Sequence, residues 1–359
     1  MVRRVRITEI DPASLTAVDD AGKVAEALIM MPERGETHWA ESARLLLRSL
    51  ILLTLTLPKA TERNLVTVRE LLTLQHHSLT DGDAAESSKL QARLFYMMQR
   101  CNAFEGAVAQ AGSSLDSIES RELSSVFSTA RTQTQFLDSL PLRSTLRHSD
   151  FRLADLKCGT VSVFLSLPAN RMEQHARWLR LIISLSLLAF EREHVNPDIP
   201  VLLLLEEFPV LGHMAAIESA AGQIAGFGIR MWSVLQDLTQ LQKHYDKSWE
   251  TFIGNAGVLT FFGNTDATTL QYISDKLGTS AMLVDVPSGA TLGARRSGAS
   301  ESNKQLRVDP LLSPHEVERF FARQTGRLLV LAAGEPPAIA ERAVYYSDSG
   351  FEALRAKSE

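Results

Sequence analysis

After residue 150 the chain alternates short, unbroken apolar runs with longer amphipathic stretches, and that rhythm leaves few folds open. Val161–Leu167, Pro200–Leu205, Ile229–Leu235 and Val258–Phe262 read as strands. Met172–Glu193, Ala215–Ala225 and Ala267–Leu277 read as the helices between them. An unbroken apolar strand has no polar face to offer water, so it needs cover on both sides. Such strands alternating with helices specify an α/β fold around a mostly parallel sheet. Arg327–Ala332 and Ile339–Val344 add two late strands.

The earlier part of the chain is different. Residues 3–10 alternate like a short strand that ends at Asp11-Pro12. Helical patterning runs from about 22 to 57, and Pro58 closes it because proline cannot continue a helix interior. From 60 to 140 the spacing is helical throughout. One apolar face carries Leu65, Val68, Leu71 and Leu72, a second Leu90, Leu94, Met97 and Met98, and a third Leu123, Val126 and Phe127. Thr80–Ala85 is a polar loop within this inserted all-α region. Residues 284–305, rich in Gly, Ser and Ala, read as a mobile loop or hairpin.

Leu45–Leu57 is the longest apolar stretch and contains Arg48. A membrane span needs about 20 apolar residues, so this segment reads as a buried core helix and the chain as soluble. With 45% apolar and 22% charged residues, the 359-residue chain has enough apolar material for a sizeable core. A net charge of −5 excludes a uniformly basic nucleic-acid binder, though not a local basic channel. The two cysteines, Cys101 and Cys158, match no zinc or redox spacing, which suits a reducing cytoplasm.

The chemistry centres on Val201-Leu202-Leu203-Leu204-Leu205-Glu206-Glu207, a buried strand ending in two carboxylates. In α/β sheets ligands bind beyond the carboxyl ends of the strands. One carboxylate there can hold Mg²⁺, which keeps most of its waters, and a second can deprotonate an attacking water. This is the form of a Walker B segment, with Glu206 as metal ligand and Glu207 as catalytic base. A solvated pair at a strand end has the same sequence. The next strand, Met231-Trp232-Ser233-Val234-Leu235, ends in Gln236, whose amide can bond a γ-phosphate or the attacking water. Gln236 is therefore a catalytic and nucleotide-contacting candidate. The alternative is a polar turn that starts a helix, capped by Asp237.

Phosphoryl transfer also needs G-x-x-x-x-G-K-[ST], whose backbone N–H groups cradle the phosphates. The nearest approach is Ala17-Val18-Asp19-Asp20-Ala21-Gly22-Lys23-Val24. It has Ala for the first Gly, Val for the Ser/Thr and two acids where phosphate would lie, so it is rejected.

Three ordered segments carry a family resemblance: Leu205-Glu206-Glu207-Phe208-Pro209-Val210-Leu211-Gly212, Ile224-Ala225-Gly226-Phe227-Gly228-Ile229-Arg230, and Val234-Leu235-Gln236-Asp237-Leu238-Thr239-Gln240-Leu241. With Ser128-Thr129-Ala130-Arg131-Thr132-Gln133-Thr134 and Ile253-Gly254-Asn255-Ala256-Gly257, the chain resembles the TraG/TraD-type coupling proteins of conjugation and type IV secretion from about residue 10 to 346. The resemblance implies a RecA-like P-loop NTPase core with an inserted all-α domain. It divides the chain into a nucleotide-binding domain in two parts, 1–59 and 149–346, an all-α domain at 60–148 and a tail at 347–359. It implies ATP and Mg²⁺ as cofactors and a homo-hexamer at the cytoplasmic face of the bacterial inner membrane. The implied partners are a relaxase–DNA complex or effector protein, single- or double-stranded DNA, and secretion channel components. Glu206 departs from the family's Asp. The membrane anchor and phosphate loop expected of the family are missing from these residues, so the expectation is a truncated form with no ATPase activity of its own. The alternative is a non-catalytic substrate-recognition module derived from such a motor.

Other charged positions are assigned outside the site. Arg295-Arg296 belongs to a solvated loop or touches DNA phosphate. Arg177, Trp178 and Arg180 read as helix packing with snorkelling cations, with Arg171 or Arg177 as the candidate to reach a neighbouring nucleotide. His76-His77 shows no metal spacing.

Overall fold

A computed structural model describes residues 10–32, 37–80, 87–147, 151–287 and 302–352. The chain forms two compact units, Met1–Ser233 and Val234–Glu359.

The first unit is built on the helix His38–Leu55, whose Leu46, Leu47, Leu50, Ile51 and Leu52 are all buried. Helices Ala17–Leu28, Leu65–Leu72, Ala107–Asp116 and Ser120–Gln133 pack around it. A helix enclosed on several sides must be apolar nearly all round, which is why Leu45–Leu57 looks like a membrane span. Its buried Ser49 hydroxyl donates to the Leu45 carbonyl at 2.8 Å, whereas the hydroxyl of buried Thr54 has no hydrogen-bond partner among the described residues. Among the described residues no helix is long and apolar enough to cross a membrane.

The expected helix over 22–57 is two helices. Ile29 turns extended at φ −103°, ψ 102°, and Pro32 lies in the break. A proline cannot donate to the carbonyl four residues back and clashes with it, here that of Leu28, the helix's last residue, so the interruption is local in origin. The region from 60 to 140 is helical as expected, and residues 81–86 of its polar loop lie outside the described residues. Helix Leu65–Leu72 begins at Asn64, whose carboxamide oxygen accepts from the N–H groups of Val66 (2.9 Å) and Thr67 (3.1 Å). Helices Ser87–Gln99 and Ala107–Asp116 meet where Gly112 passes Met98. A Cβ on Gly112 would sit 2.7 Å from Met98 Cβ, a rigid position near the backbone. Gly112→Ala is therefore expected to cost about 1–3 kcal/mol by overpacking, despite alanine's better helix propensity. Urea unfolding checks this, and a stabilised variant would refute the close approach.

Val161–Leu167 is not a strand. It runs without a ladder partner among the described residues, and Phe164 is 91% exposed. Its β-rich composition gives it propensity, but a strand exists only through its neighbour's hydrogen bonds. The helix Met172–Arg192 follows, then strand β1, Val201–Leu205. Strand β2, Ile229–Ser233, pairs parallel to it with Val201 opposite Ile229 and Leu205 opposite Ser233. One face of this pair packs Val201, Leu203, Ile229 and Met231 against Phe190 and Phe227. The other face leaves Leu202, Leu204 and Trp232 about half exposed. Cover on both faces was the expectation, yet among the described residues only one side is covered.

The second unit holds a three-stranded antiparallel sheet of β3 (Val258–Phe261), β6 (Arg327–Ala332) and β7 (Ala338–Glu341), in the order β3-β6-β7. β4 (Thr279–Pro287) and β5 (Ser302–Pro310) form a hairpin. The Gly/Ser-rich stretch thus sits at a hairpin, while its central residues 288–301, with Arg295 and Arg296, lie outside the described residues. So do residues 1–9, which carry most of the first expected strand. Among the described residues the parallel ladder is confined to β1–β2, and the later strands run antiparallel. Helix Ala267–Leu277 is capped by Asp266, which accepts from Thr269 N–H at 2.8 Å, and ends at Gly278 with φ +78°. It packs Leu270 and Ile273 with Phe261, Val317, Phe321 and Leu329.

Candidate functional site

β1 is five apolar residues long and stops where carboxylates begin. Glu206 and Glu207 form the turn after it, and both are exposed. The chain then enters a 3₁₀ turn, Phe208–Leu211, with Pro209 in its first positions. Phe208 and Leu211 are 2% and 3% exposed, so the turn is nailed to the core on both sides of the proline. Gly212 follows at φ +63° with Met30 Cε 3.0 Å from where a Cβ would stand. The two carboxylates are therefore held between a strand and an anchored turn while their oxygens face solvent.

A buried cation fixes the far end of that turn. Arg180, on helix Met172–Arg192 and 4% exposed, donates to the carbonyls of Leu211 and His213 (2.7 Å) and through Nε to Ala27 O (3.2 Å). Sequence spacing suggests a snorkelling cation here. The structure makes Arg180 an internal clamp joining the end of helix Ala17–Leu28 to the segment behind Glu206-Glu207. Nothing in the sequence marks it, because its partners are backbone carbonyls from distant segments.

Arg177 is also committed inside the first unit. Its Nη2 donates to Gln133 Oε1 at 3.3 Å, and burial pushes its guanidinium below its ordinary value. Gln133 in turn bonds the backbone of Met30 through both ends of its amide, at 2.9 and 3.0 Å. Arg171 is exposed at the start of the same helix.

Gln236 belongs to the second unit, just past the end of β2. Asp237 caps the next helix, Leu238–Tyr245, by accepting from Gln240 N–H at 3.0 Å. The backbone of Gln236 is fixed from both sides. Its N–H donates to Gln240 Oε1 at 3.1 Å, and its carbonyl accepts from Asn264 Nδ2 at 3.2 Å. The capping work falls to Asp237, and Gln236 is exposed. Asn264, after β3, is a supporting residue that sequence reasoning missed.

The rejected phosphate-loop approach is ordinary helix. Ala17–Val24 lies within helix Ala17–Leu28, and Asp20 is buried against Arg192 while accepting from the Thr16 hydroxyl at 3.0 Å. A phosphate cradle needs consecutive N–H groups turned outward in a loop, and here they are spent on the helix ladder. Glu206 and Glu207, by contrast, suit Mg²⁺, which takes one or two carboxylates and keeps several waters.

The chain is 28% identical over 225 residues to the conjugal transfer protein TraG of Rhizobium radiobacter, covering 62% of this chain and 34% of that protein. It is 30% identical over 217 residues to protein VirD4 of Rhizobium rhizogenes, covering 58% of this chain and 30% of that protein. It thus spans about a third of the length of these relatives. Among solved structures, the plasmid coupling protein TrwB in complex with ADP and Mg²⁺ superposes with a TM-score of 0.66 at 16% identity, over 91% of this chain and 68% of that one. That likeness shows the fold, an α/β core of the RecA-like type. A model of the type IV secretory system conjugative DNA transfer family matches residues 6–359, and the chain therefore belongs to that family.

Proposed function

We propose that this chain is the hydrolytic part of a type IV secretion coupling motor, which recruits a relaxase–DNA complex or an effector protein and delivers it to the secretion channel. The observation that carries this reading is the strand β1 ending in two exposed, anchored carboxylates, in a chain of this family. Bound Mg²⁺ would neutralise developing charge on the nucleotide phosphates. Glu206 would hold the metal, Glu207 would accept a proton from the attacking water, and the Gln236 amide would hydrogen-bond the nucleotide's terminal phosphate or that water. Residues 1–59 and 149–346 serve as the nucleotide-binding domain, 60–148 as the substrate-facing helical domain, and 347–359 as the tail. DNA passes through a homo-hexamer at the cytoplasmic face of the bacterial inner membrane.

A second reading, a recognition module without catalysis, is favoured by one observation. These 359 residues contain no G-x-x-x-x-G-K-[ST] segment, and the nearest approach is the helix Ala17–Leu28. Both readings expect the chain to bind ATP weakly or not at all, because the phosphate-gripping N–H groups must come from elsewhere. Calorimetry with ATP and Mg²⁺ checks this, and a clear micromolar affinity would overturn it. The substrate half of the proposal is tested by a pull-down with relaxase–DNA complex or effector. Capture of either supports recruitment, and capture of neither refutes it.

A further inference from the structure

Sequence spacing gives His76-His77 no metal partner, but the fold supplies one. Glu62 lies in the short 3₁₀ turn Ala60–Glu62, before helix Leu65–Leu72. The helix carries the chain out, and Leu74 turns it back with a left-handed backbone, φ +61°, although Leu74 is not a glycine. The N–H groups of Gln75 and His76 both bond the Glu70 carbonyl, at 2.7 and 3.2 Å, which fixes the returning turn to the helix's last residues. The result is that one ligand atom each from Glu62, His76 and His77 lies within 4.8 Å of the others.

We propose that Glu62, His76 and His77 form a binding site for a zinc-class divalent cation. Two imidazoles and one carboxylate are a donor set that zinc prefers, with a water completing the tetrahedron. At zinc–ligand distances near 2.1 Å the edges of that tetrahedron are about 3.4 Å. His77 Nε2 and Glu62 Oε1 already stand 3.9 Å apart, so closure needs only side-chain adjustment. His76 is 2% exposed and its ring centroid lies 4.2 Å from that of His77. Lys59 Nζ sits 3.2 Å from Glu62 Oε1 in the same turn and occupies one side of the carboxylate. Its charge opposes the ion, so the cation must displace it.

The site is distinct from the carboxylates after β1 and does not depend on the motor reading. It would tie the turn before helix Leu65–Leu72 to the turn after it.

The test uses the full chain, stripped with a chelator and titrated with Zn²⁺ and, separately, with Co²⁺. The expected result is one ion per chain and, for Co²⁺, the intense visible absorption of tetrahedral coordination. His77→Ala and Glu62→Gln should each weaken zinc binding by more than the roughly 10–100-fold that loss of an outer-shell partner costs. Both side chains reach solvent, so these variants fold even if His76→Ala does not. Lys59→Met should tighten binding. Absence of stoichiometric binding would overturn the proposal. So would affinity unchanged in His77→Ala and Glu62→Gln, or binding lost instead in Cys101→Ser or Cys158→Ser.

Discussion

Donor cells whose only copy of this gene carries Glu207→Gln are expected to transfer DNA roughly 10²–10⁴-fold less often than the wild type, the range that a positioned general base contributes. The substitution keeps the side chain's size and removes the proton acceptor. Glu207 is exposed, so the folding stability of the variant should stay within about 0.5 kcal/mol of the parent, and capture of the relaxase–DNA complex should be unchanged. That pairing separates the two functional readings. A motor needs the base, and a recognition module does not. Transfer at wild-type frequency with Glu207→Gln would therefore remove the hydrolytic reading and leave recruitment. Glu206→Asp is the companion variant. It installs the residue usual in the family and draws the carboxylate back by one methylene, so it should support transfer at least as well as Glu206.

The carboxylates were legible in the sequence because an unbroken apolar run stops where they begin. Five apolar residues followed by two acids leave one place for the strand to end, and β1 ends there. Helix Ala267–Leu277 was legible for a similar reason, since Asp266 supplies a cap and Gly278 a stop at either end of a helical repeat. What the sequence did not disclose depends on pairing. Val161–Leu167 has the composition of a strand, but composition does not name a neighbour, and the segment has none among the described residues. The antiparallel direction of β3, β6 and β7 is likewise a property of the pairs. Glu62 and the two histidines meet because Leu74 adopts a backbone conformation that leucine rarely takes, which no spacing rule anticipates.

Arg180 is the sharpest case of a residue whose role is set by distant backbone, and its removal should produce the largest loss of stability. Arg180→Met retains much of the apolar stem and leaves the carbonyls of Ala27, Leu211 and His213 facing a thioether that cannot donate. Hydrogen bonds to a charged donor contribute about 1.5–3 kcal/mol each, and losses that share one donor do not add fully. A net destabilisation of about 3–5 kcal/mol is expected in urea or guanidinium unfolding of the whole chain. Arg180→Lys keeps one point charge but not the planar fork, so it should fall between the two. The loss should be felt first where the clamp holds. The Gly212 N–H, which bonds Pro209 O at 3.0 Å, should exchange with solvent faster in the methionine variant, because the turn Phe208–Leu211 then keeps only its apolar anchors. Since that turn follows Glu206-Glu207 directly, Arg180→Met should also lower transfer in cells that still contain folded protein. A stability change below about 1 kcal/mol, with Gly212 exchange unaltered, would mean that packing by Phe208 and Leu211 suffices to hold the carboxylates and that the guanidinium is dispensable.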